Sequence, residues 1–283
     1  MIFSIRDTAS FLLASRIPNL VIIGLTQGAT AYFLLNRDPH HILNLRFGLL
    51  LISTAMIGAG GYIINDYFDQ KIDMINRPRK VVVGTKLKRR LALLSHALLT
   101  IGGISIGFLL DPFIGAIHIF SSGALWTYSG ILKRQLLIGT LTIAFLTSLS
   151  LLIILVFYRQ FSLLVVAYAM FGCITIFIRE SINDIVSVKG ETAFGVQSVP
   201  IVWGIRGAKT VIFLAGIAGV SMMSFYLISI NNWNVRYFFS AVLLVILWAF
   251  YKLTRADKMR DFVEIKKLID TIIVLGLISM VLV

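Results

Sequence analysis

Residues 65–73 read NDYFDQKID and follow the apolar run LLLISTAMIGAGGYII at 49–64. Three carboxylates, Asp66, Asp69 and Asp73, thus fall within eight residues of a chain that is 58% hydrophobic. Acids near a helix C-terminus oppose the helix dipole, so a plain helix end does not call for them. If the apolar helix continues past the lipid boundary, the three acids lie at i, i+3 and i+7 and share one face. Carboxylates so placed repel one another unless a cation sits among them. Hard divalent ions want oxygen ligands, and Mg²⁺ typically takes one or two carboxylates plus substrate phosphates.

The rest of the chain sets this cluster in a membrane. Only 14% of its 283 residues are charged, against about 25% in soluble domains. Runs of roughly 20 apolar residues recur, each long enough to cross a hydrocarbon core. The spans expected from them are 17–36, 45–64, 91–110, 113–129, 136–157, 161–179, 210–230, 236–253 and 268–283. The expected fold is therefore all-α, a polytopic membrane protein of nine transmembrane helices. No cleavable signal pattern is expected at the N-terminus. No linker divides the chain, so residues 1–283 are read as one domain. A single cysteine, Cys173, excludes an intrachain disulfide and a cysteine-based metal cluster.

The net charge of +13 raises the possibility of nucleic-acid binding, but its distribution argues for topology instead. The N-terminus and the loops after spans two, four, six and eight carry 22 of the 26 Lys and Arg, all but Arg37, Arg46, Arg159 and Arg236. The positive-inside rule makes the rich side cytoplasmic, where anionic lipid also attracts it. The partners expected are membrane lipid and lipophilic substrates, with no nucleic acid and no obligate protein partner.

A second polar stretch, NDIVSVKGE at 183–191, echoes the first at a constant offset of 118. Asn65-Asp66 matches Asn183-Asp184, Asp69 matches Ser187, Lys71 matches Lys189 and Asp73 matches Glu191. Four spans separate the copies, so both lie at cytoplasmic helix ends. A parallel internal repeat produces this, and such repeats commonly bind ligand at their interface. Six of the 13 acids lie in or just ahead of these two stretches: Asp66, Asp69 and Asp73 in the first, Asp184 and Glu191 in the second, and Glu180 three residues before it. Bases accompany them: Lys71, Arg77, Arg79 and Lys80 after the first, Arg179 and Lys189 around the second. Tyr128, Lys133 and Arg134 lie in the loop after span four. Acids for Mg²⁺ beside bases for phosphate describe a diphosphate site.

These motifs resemble the UbiA-type intramembrane prenyltransferases. NDxxDxxxD followed by NRP (76–78) is similar to the family's first signature, and RESINDIVSVKGE (179–191) to the REIxKDIEDxxGD form of the second. YSGILKR (128–134) resembles its tyrosine-lysine motif, and SRIPN (15–19) the Arg/Asn start of span one, which brings in Asn19. The resemblance implies nine helices around a central cavity, a cytoplasmic cap formed by the loops after spans two and six, and a cytoplasm-facing mouth for Mg²⁺-diphosphate. It implies that Asn65, Asp66 and Asp69 hold one Mg²⁺ with Asp73 nearby, and that Asp184 and Glu191 serve the second. Lys133, Tyr128 and Arg77 would meet the diphosphate, with Asn19, Asn65, Arg134, Arg179 and Lys189 completing the substrate contacts. Asp66, Asp69, Asp184 and Lys133 would be the catalytic set. Val186 and Ser187 depart from the Glu-Asp of the glycerolipid branch, so the resemblance implies a weaker second metal or one held through water.

The chemistry that follows is diphosphate departure from an isoprenyl donor, assisted by metal acting as a Lewis acid. Tyr62, Tyr67, Phe68, Trp126 and Tyr128 are candidates to stabilise an allylic cation, at about 0.5–2 kcal/mol per ring. The first expectation is transfer of a geranylgeranyl group to geranylgeranylglyceryl phosphate. An aromatic quinone- or haem-type acceptor, a terpene cyclase on the same fold and a non-catalytic isoprenoid-binding protein stand as alternatives.

Overall fold

A computed structural model describes residues 5–35, 37–229 and 233–283. Eleven α-helices follow one another in this order: α1 (Ile5–Ala14), α2 (Ile17–Phe33), α3 (Leu45–Asn76), α4 (Arg89–Leu110), α5 (Pro112–Gly130), α6 (Ile138–Tyr158), α7 (Leu163–Ala193), α8 (Val199–Val202), α9 (Gly204–Ser229), α10 (Trp233–Arg255) and α11 (Met259–Leu282). Among the described residues there is no β-strand beyond one isolated bridge, Val83 to Leu87.

Among the described residues six of these, α3, α4, α6, α7, α9 and α10, are long and apolar enough to cross a bilayer. They present apolar side chains outward: Leu109 is 82% exposed and Phe225 74%. Such contiguous apolar surface belongs against hydrocarbon rather than water. The protein is an integral membrane protein. Each of the nine sequence-expected spans coincides with a helix, with shifts at the ends. The helix expected from 268 begins at Met259, and the one expected from 210 begins at Gly204. The ends of the spans expected over 17–36 and 210–230 lie outside the described residues.

The two helices that carry the acid stretches are the longest. α3 has 32 residues and α7 has 31. At 1.5 Å per residue α3 is about 48 Å long, well beyond a hydrocarbon core of about 30 Å. The excess is the stretch from Asn65 onward. The internal repeat also appears at the starts. The N-caps Asn44 and Ser162 stand 118 positions apart, and each accepts a hydrogen bond from the backbone N–H three residues on, Phe47 and Val165. A capping side chain of this kind satisfies one orphan donor of the first turn.

The chain divides into two compact units, the chain up to Lys133 with Ile153–Phe161, and Arg134–Leu152 with Ser162–Val283. In the first, α3 packs against α4 and α5 through small residues. A Cβ on Gly103 would stand 3.0 Å from the Ser53 carbonyl, so glycine there lets α4 approach α3 closely. The loop after α3 folds back on it. Val83 and Leu87 are fully buried with Ala14, Ile63 and Ala92, and Gly84 (φ +85°) turns tightly against Gln70. At the opposite end of α3, Arg46 donates to the Leu110 carbonyl at 2.8 Å, Tyr158 donates to the His41 carbonyl, and Arg159 pairs with Asp111 at 2.8 Å. His40 and His41 thus belong to a short 3-10 turn, Pro39–His41.

In the second unit, α7, α9, α10 and α11 share a core built on Ile182, Ile185, Ile212, Leu253 and Phe262. The loops after α3 and α7 contain one 3-10 turn, Pro78–Lys80, and the four-residue α8, with no longer helix among the described residues.

Candidate metal and diphosphate site

α3 runs unbroken to Asn76, so Asp66, Asp69 and Asp73 do lie at successive turns of one helix. Each is held differently. Arg16, in the left-handed conformation ahead of α2, reaches Asp66 at 2.6 Å. The Asp66 side chain is 14% exposed. Burial opposes the charge on Arg16, but the attraction and hydrogen bond of Asp66 override it and hold the guanidinium above its ordinary range. Asp69 is buried; its Oδ2 accepts from Lys133 Nζ and, at 2.8 Å, from Asn65 Nδ2. Lys133 is delivered by a single 3-10 turn, Leu132–Arg134, just after α5. Tyr128, half-buried, ends the same helix. Arg77 closes α3, its N–H donating to the Asp73 carbonyl at 2.7 Å.

This first stretch fits a hard divalent ion. Its donors are carboxylate and amide oxygens, and Asn65 Oδ1 is buried with no hydrogen-bond partner among the described residues. A buried acceptor left without a partner costs about 1–3 kcal/mol, and an ion beside Asp69 would satisfy it. Among the described residues no three acids converge as a ready-made cage. Arg16 and Lys133 instead neutralise Asp66 and Asp69.

The second stretch is built otherwise. Asp184, half-buried, accepts from Thr140 Oγ1 at 3.1 Å. Glu191 is buried, and Ser198 Oγ donates to its Oε2 at 2.8 Å. Asn183 Oδ1 accepts from Lys266 Nζ of α11 at 2.6 Å. Ser187, half-buried, brings no charge. The donor set is therefore poorer than that of the first stretch, with one carboxylate fewer and its amide oxygen already engaged.

Several sequence-expected contacts are rearranged. Arg179 is committed within its own unit, to Asp270 at 2.6 Å and Glu180 at 2.5 Å. Lys189 and Arg134 are exposed, and the Arg134 carbonyl accepts from the Gln197 N–H at 3.0 Å. Asn19 is half-buried in the first turn of α2. Of the candidate aromatics, Tyr67, Phe68 and Trp126 form an edge-to-face row, with Arg89 over Tyr67 at 4.2 Å and His96 against Trp126 at 5.2 Å. These three rings pack on one another. Tyr62 lies under Arg16, 5.1 Å from the ring centroid.

The residues the sequence did not single out are partners of the site residues: Arg16, visible only as part of SRIPN, on Asp66, Thr140 on Asp184, Ser198 on Glu191, Lys266 on Asn183 and Asp270 on Arg179. The i, i+4 pair Lys266 and Asp270 was readable as one helical face, but not its target.

Comparison with known proteins identifies the family and the fold. Residues 25–268 match the sequence model of the UbiA prenyltransferase family. The chain is 33% identical over 190 residues to digeranylgeranylglyceryl phosphate synthase of Methanothermobacter thermautotrophicus, spanning 65% of this chain and 66% of that one. Identity to the enzyme of the same name from Methanospirillum hungatei is 27% over 264 residues, 91% of each. A solved structure of digeranylgeranylglyceryl phosphate synthase matches the fold with a TM-score of 0.77 at 20% identity, covering 98% of both chains. A UbiA homolog from Archaeoglobus fulgidus bound to GPP and Mg²⁺ matches with a TM-score of 0.67 at 13% identity, over 96% of this chain and 99% of that one. The chain belongs to the UbiA prenyltransferase family and is an intramembrane prenyltransferase.

Proposed function

We propose that this protein transfers a geranylgeranyl group from its diphosphate to geranylgeranylglyceryl phosphate, forming an ether lipid. The relatives named for that synthase, similar over up to 91% of this chain, support the acceptor. The carrying observation is the Asn65–Asp69–Lys133 contact beside Arg16–Asp66, an oxygen-rich, cation-lined cluster on the overshooting end of α3.

In this reading the donor C–O bond breaks, the diphosphate leaves, and the acceptor hydroxyl oxygen bonds to the allylic carbon and loses its proton. Asn65, Asp66 and Asp69, with Asp73 nearby, would hold Mg²⁺, and Asp184 and Glu191 are the acids of the second stretch. When bound, Mg²⁺ neutralises charge developing on the leaving group. Lys133, Arg77 and Tyr128 donate to diphosphate oxygens, with Lys133 turning from Asp69 to its ligand. Asn19, Arg134 and Lys189 complete the polar contacts, and Arg179 acts through its tie to Asp270. The apolar helices keep water from the cation.

Nine membrane-crossing helices, with the basic loops and the mouth of the site toward the cytoplasm, complete the proposal. The charge asymmetry supports it. The test is mass spectrometry of lipid made by the purified chain from labelled geranylgeranyl diphosphate. A glycerolipid ether that requires both Mg²⁺ and geranylgeranylglyceryl phosphate is expected. A hydrocarbon or terpene alcohol formed without acceptor, a prenylated aromatic, or binding without turnover would each overturn it.

A further inference from the structure

The two acid stretches, though copies in outline, have met their bases in different ways. In the first, the ammonium of Lys133 lies on the carboxylate of Asp69. In the second, the position matching Asp69 is Ser187, and the ammonium of Lys266 lies on the neutral amide of Asn183, 2.6 Å from Oδ1. Asn183 matches Asn65, whose own Oδ1 is the buried acceptor without a partner. The oxygen that the first stretch holds open for a cation is, in the second, already on one.

Lys266 does not belong to the repeat. It stands 133 residues after Lys133, not 118, and comes from α11, which follows the four helices of the second copy. Its seat is built. Lys266 is half-buried, and one turn on, Asp270 holds Arg179, so two polar rungs join α11 to α7. The amide oxygen of Asn183 fixes the ammonium in place. An ammonium is a compact point charge with three donors, suited to phosphate oxygens.

We propose that Lys266 is a phosphate-binding residue. Its ammonium supplies, at the second stretch, the positive charge that a carboxylate at position 187 would otherwise have recruited as a second divalent ion. The inference rests on the proposed diphosphate chemistry and deepens it: this chain holds one divalent ion tightly, at Asn65, Asp66 and Asp69, and a lysine in place of the other. The ligand chemistry is a phosphate oxygen, from the donor diphosphate or from the acceptor's phosphate monoester.

The test uses the full chain in lipid nanodiscs. Bound Mn²⁺ is counted by electron paramagnetic resonance, and calorimetry measures inorganic pyrophosphate and glycerol 1-phosphate separately. The wild type should bind about one Mn²⁺ tightly. Lys266→Met should weaken one of the two anions about tenfold, the loss of one charged hydrogen bond, and Lys266→Arg should recover most of it. Loss for pyrophosphate assigns the donor, and loss for glycerol 1-phosphate the acceptor. Lys267→Met, on an exposed neighbour, should change neither. Lys266→Arg keeps the charge, so if the anion loss in Lys266→Met follows a fall in melting temperature and Lys266→Arg does not recover the affinity, Lys266 is merely structural. Two equally tight Mn²⁺ in the wild type, or unchanged anion binding in Lys266→Met, would overturn the inference and leave the transferase reading standing. A wild type that binds neither anion overturns both.

Discussion

Arg16 Nη2 lies 2.6 Å from Asp66 Oδ1, tying the residue before α2 to a carboxylate fifty positions later in α3. Lys133 makes the corresponding contact with Asp69. Three carboxylates at i, i+3 and i+7 repel one another at about helix-pair strength, and these two side chains relieve that repulsion.

Removing Arg16 should therefore make the protein depend on a divalent ion for stability. The pair is part-exposed, so it contributes at most about 1 kcal/mol. Arg16→Gln should melt about 2–4 °C lower without Mg²⁺ and regain most of that when Mg²⁺ is added. Thermal scans with and without Mg²⁺ read this directly. An equal drop under both conditions would mean that Arg16 is not a counterion to the metal acids.

Asp66→Ala and Asp69→Ala should each lower turnover a few hundred-fold or more, as about 3–4 kcal/mol of transition-state stabilisation is lost. Asp69→Ala also leaves Lys133 and Asn65 Nδ2 without their acceptor, so folding must be checked by size-exclusion chromatography alongside the rate. Ordinary turnover in a folded Asp69→Ala protein would remove the metal-site reading.

Ser187→Asp restores the acid that the second copy lacks. It should lower the Mg²⁺ concentration for half-maximal rate, whereas Ser187→Ala should leave it alone. Glu180→Gln is the contrasting case. Glu180 is engaged by Arg179, so its loss should not shift the Mg²⁺ titration. A shift with Glu180→Gln and none with Ser187→Asp would reverse the assignment.

Asp111 caps α5 through the Phe113 N–H and pairs with Arg159. The Arg159 hydrogen bond first, then the Phe113 N–H, holds its carboxyl below the ordinary carboxylate range. A depressed folded-state pKa contributes stability that is present above the unfolded value, about 3.9, and is lost as pH falls through the lower folded one. The melting temperature of wild type should exceed that of Asp111→Ala by a constant margin at neutral pH. The margin should shrink only below about pH 4. A margin that fades between neutrality and pH 5 would point to another group.

Topology is testable with one cysteine. In a Cys173→Ser background, Lys86→Cys, in the exposed turn after α3, should react with an impermeant maleimide only from the cytoplasmic side. Arg37→Cys should react only from the other.

The sequence by itself determined nine of the eleven described helices, because apolar runs are local properties of the chain, and left out only the short α1 and α8. Asn44 and Ser162 start α3 and α7 at matching positions, and no break residue stops either helix before its acids. That Asp66, Asp69 and Asp73 share a face follows from helix geometry alone, so the arrangement of the first stretch was legible in the sequence. Tertiary structure alone decided which base meets which acid. Arg16 reaches Asp66 over 50 positions, Lys133 reaches Asp69 over 64, and Lys266 reaches Asn183 over 83. Long basic side chains have many rotamers, and the partner each finds depends on how neighbouring helices pack. Arg179 shows the reason most plainly: its neighbours in sequence suggest a phosphate ligand, while the packing of α11 on α7 sets Asp270 at 2.6 Å and directs the guanidinium there.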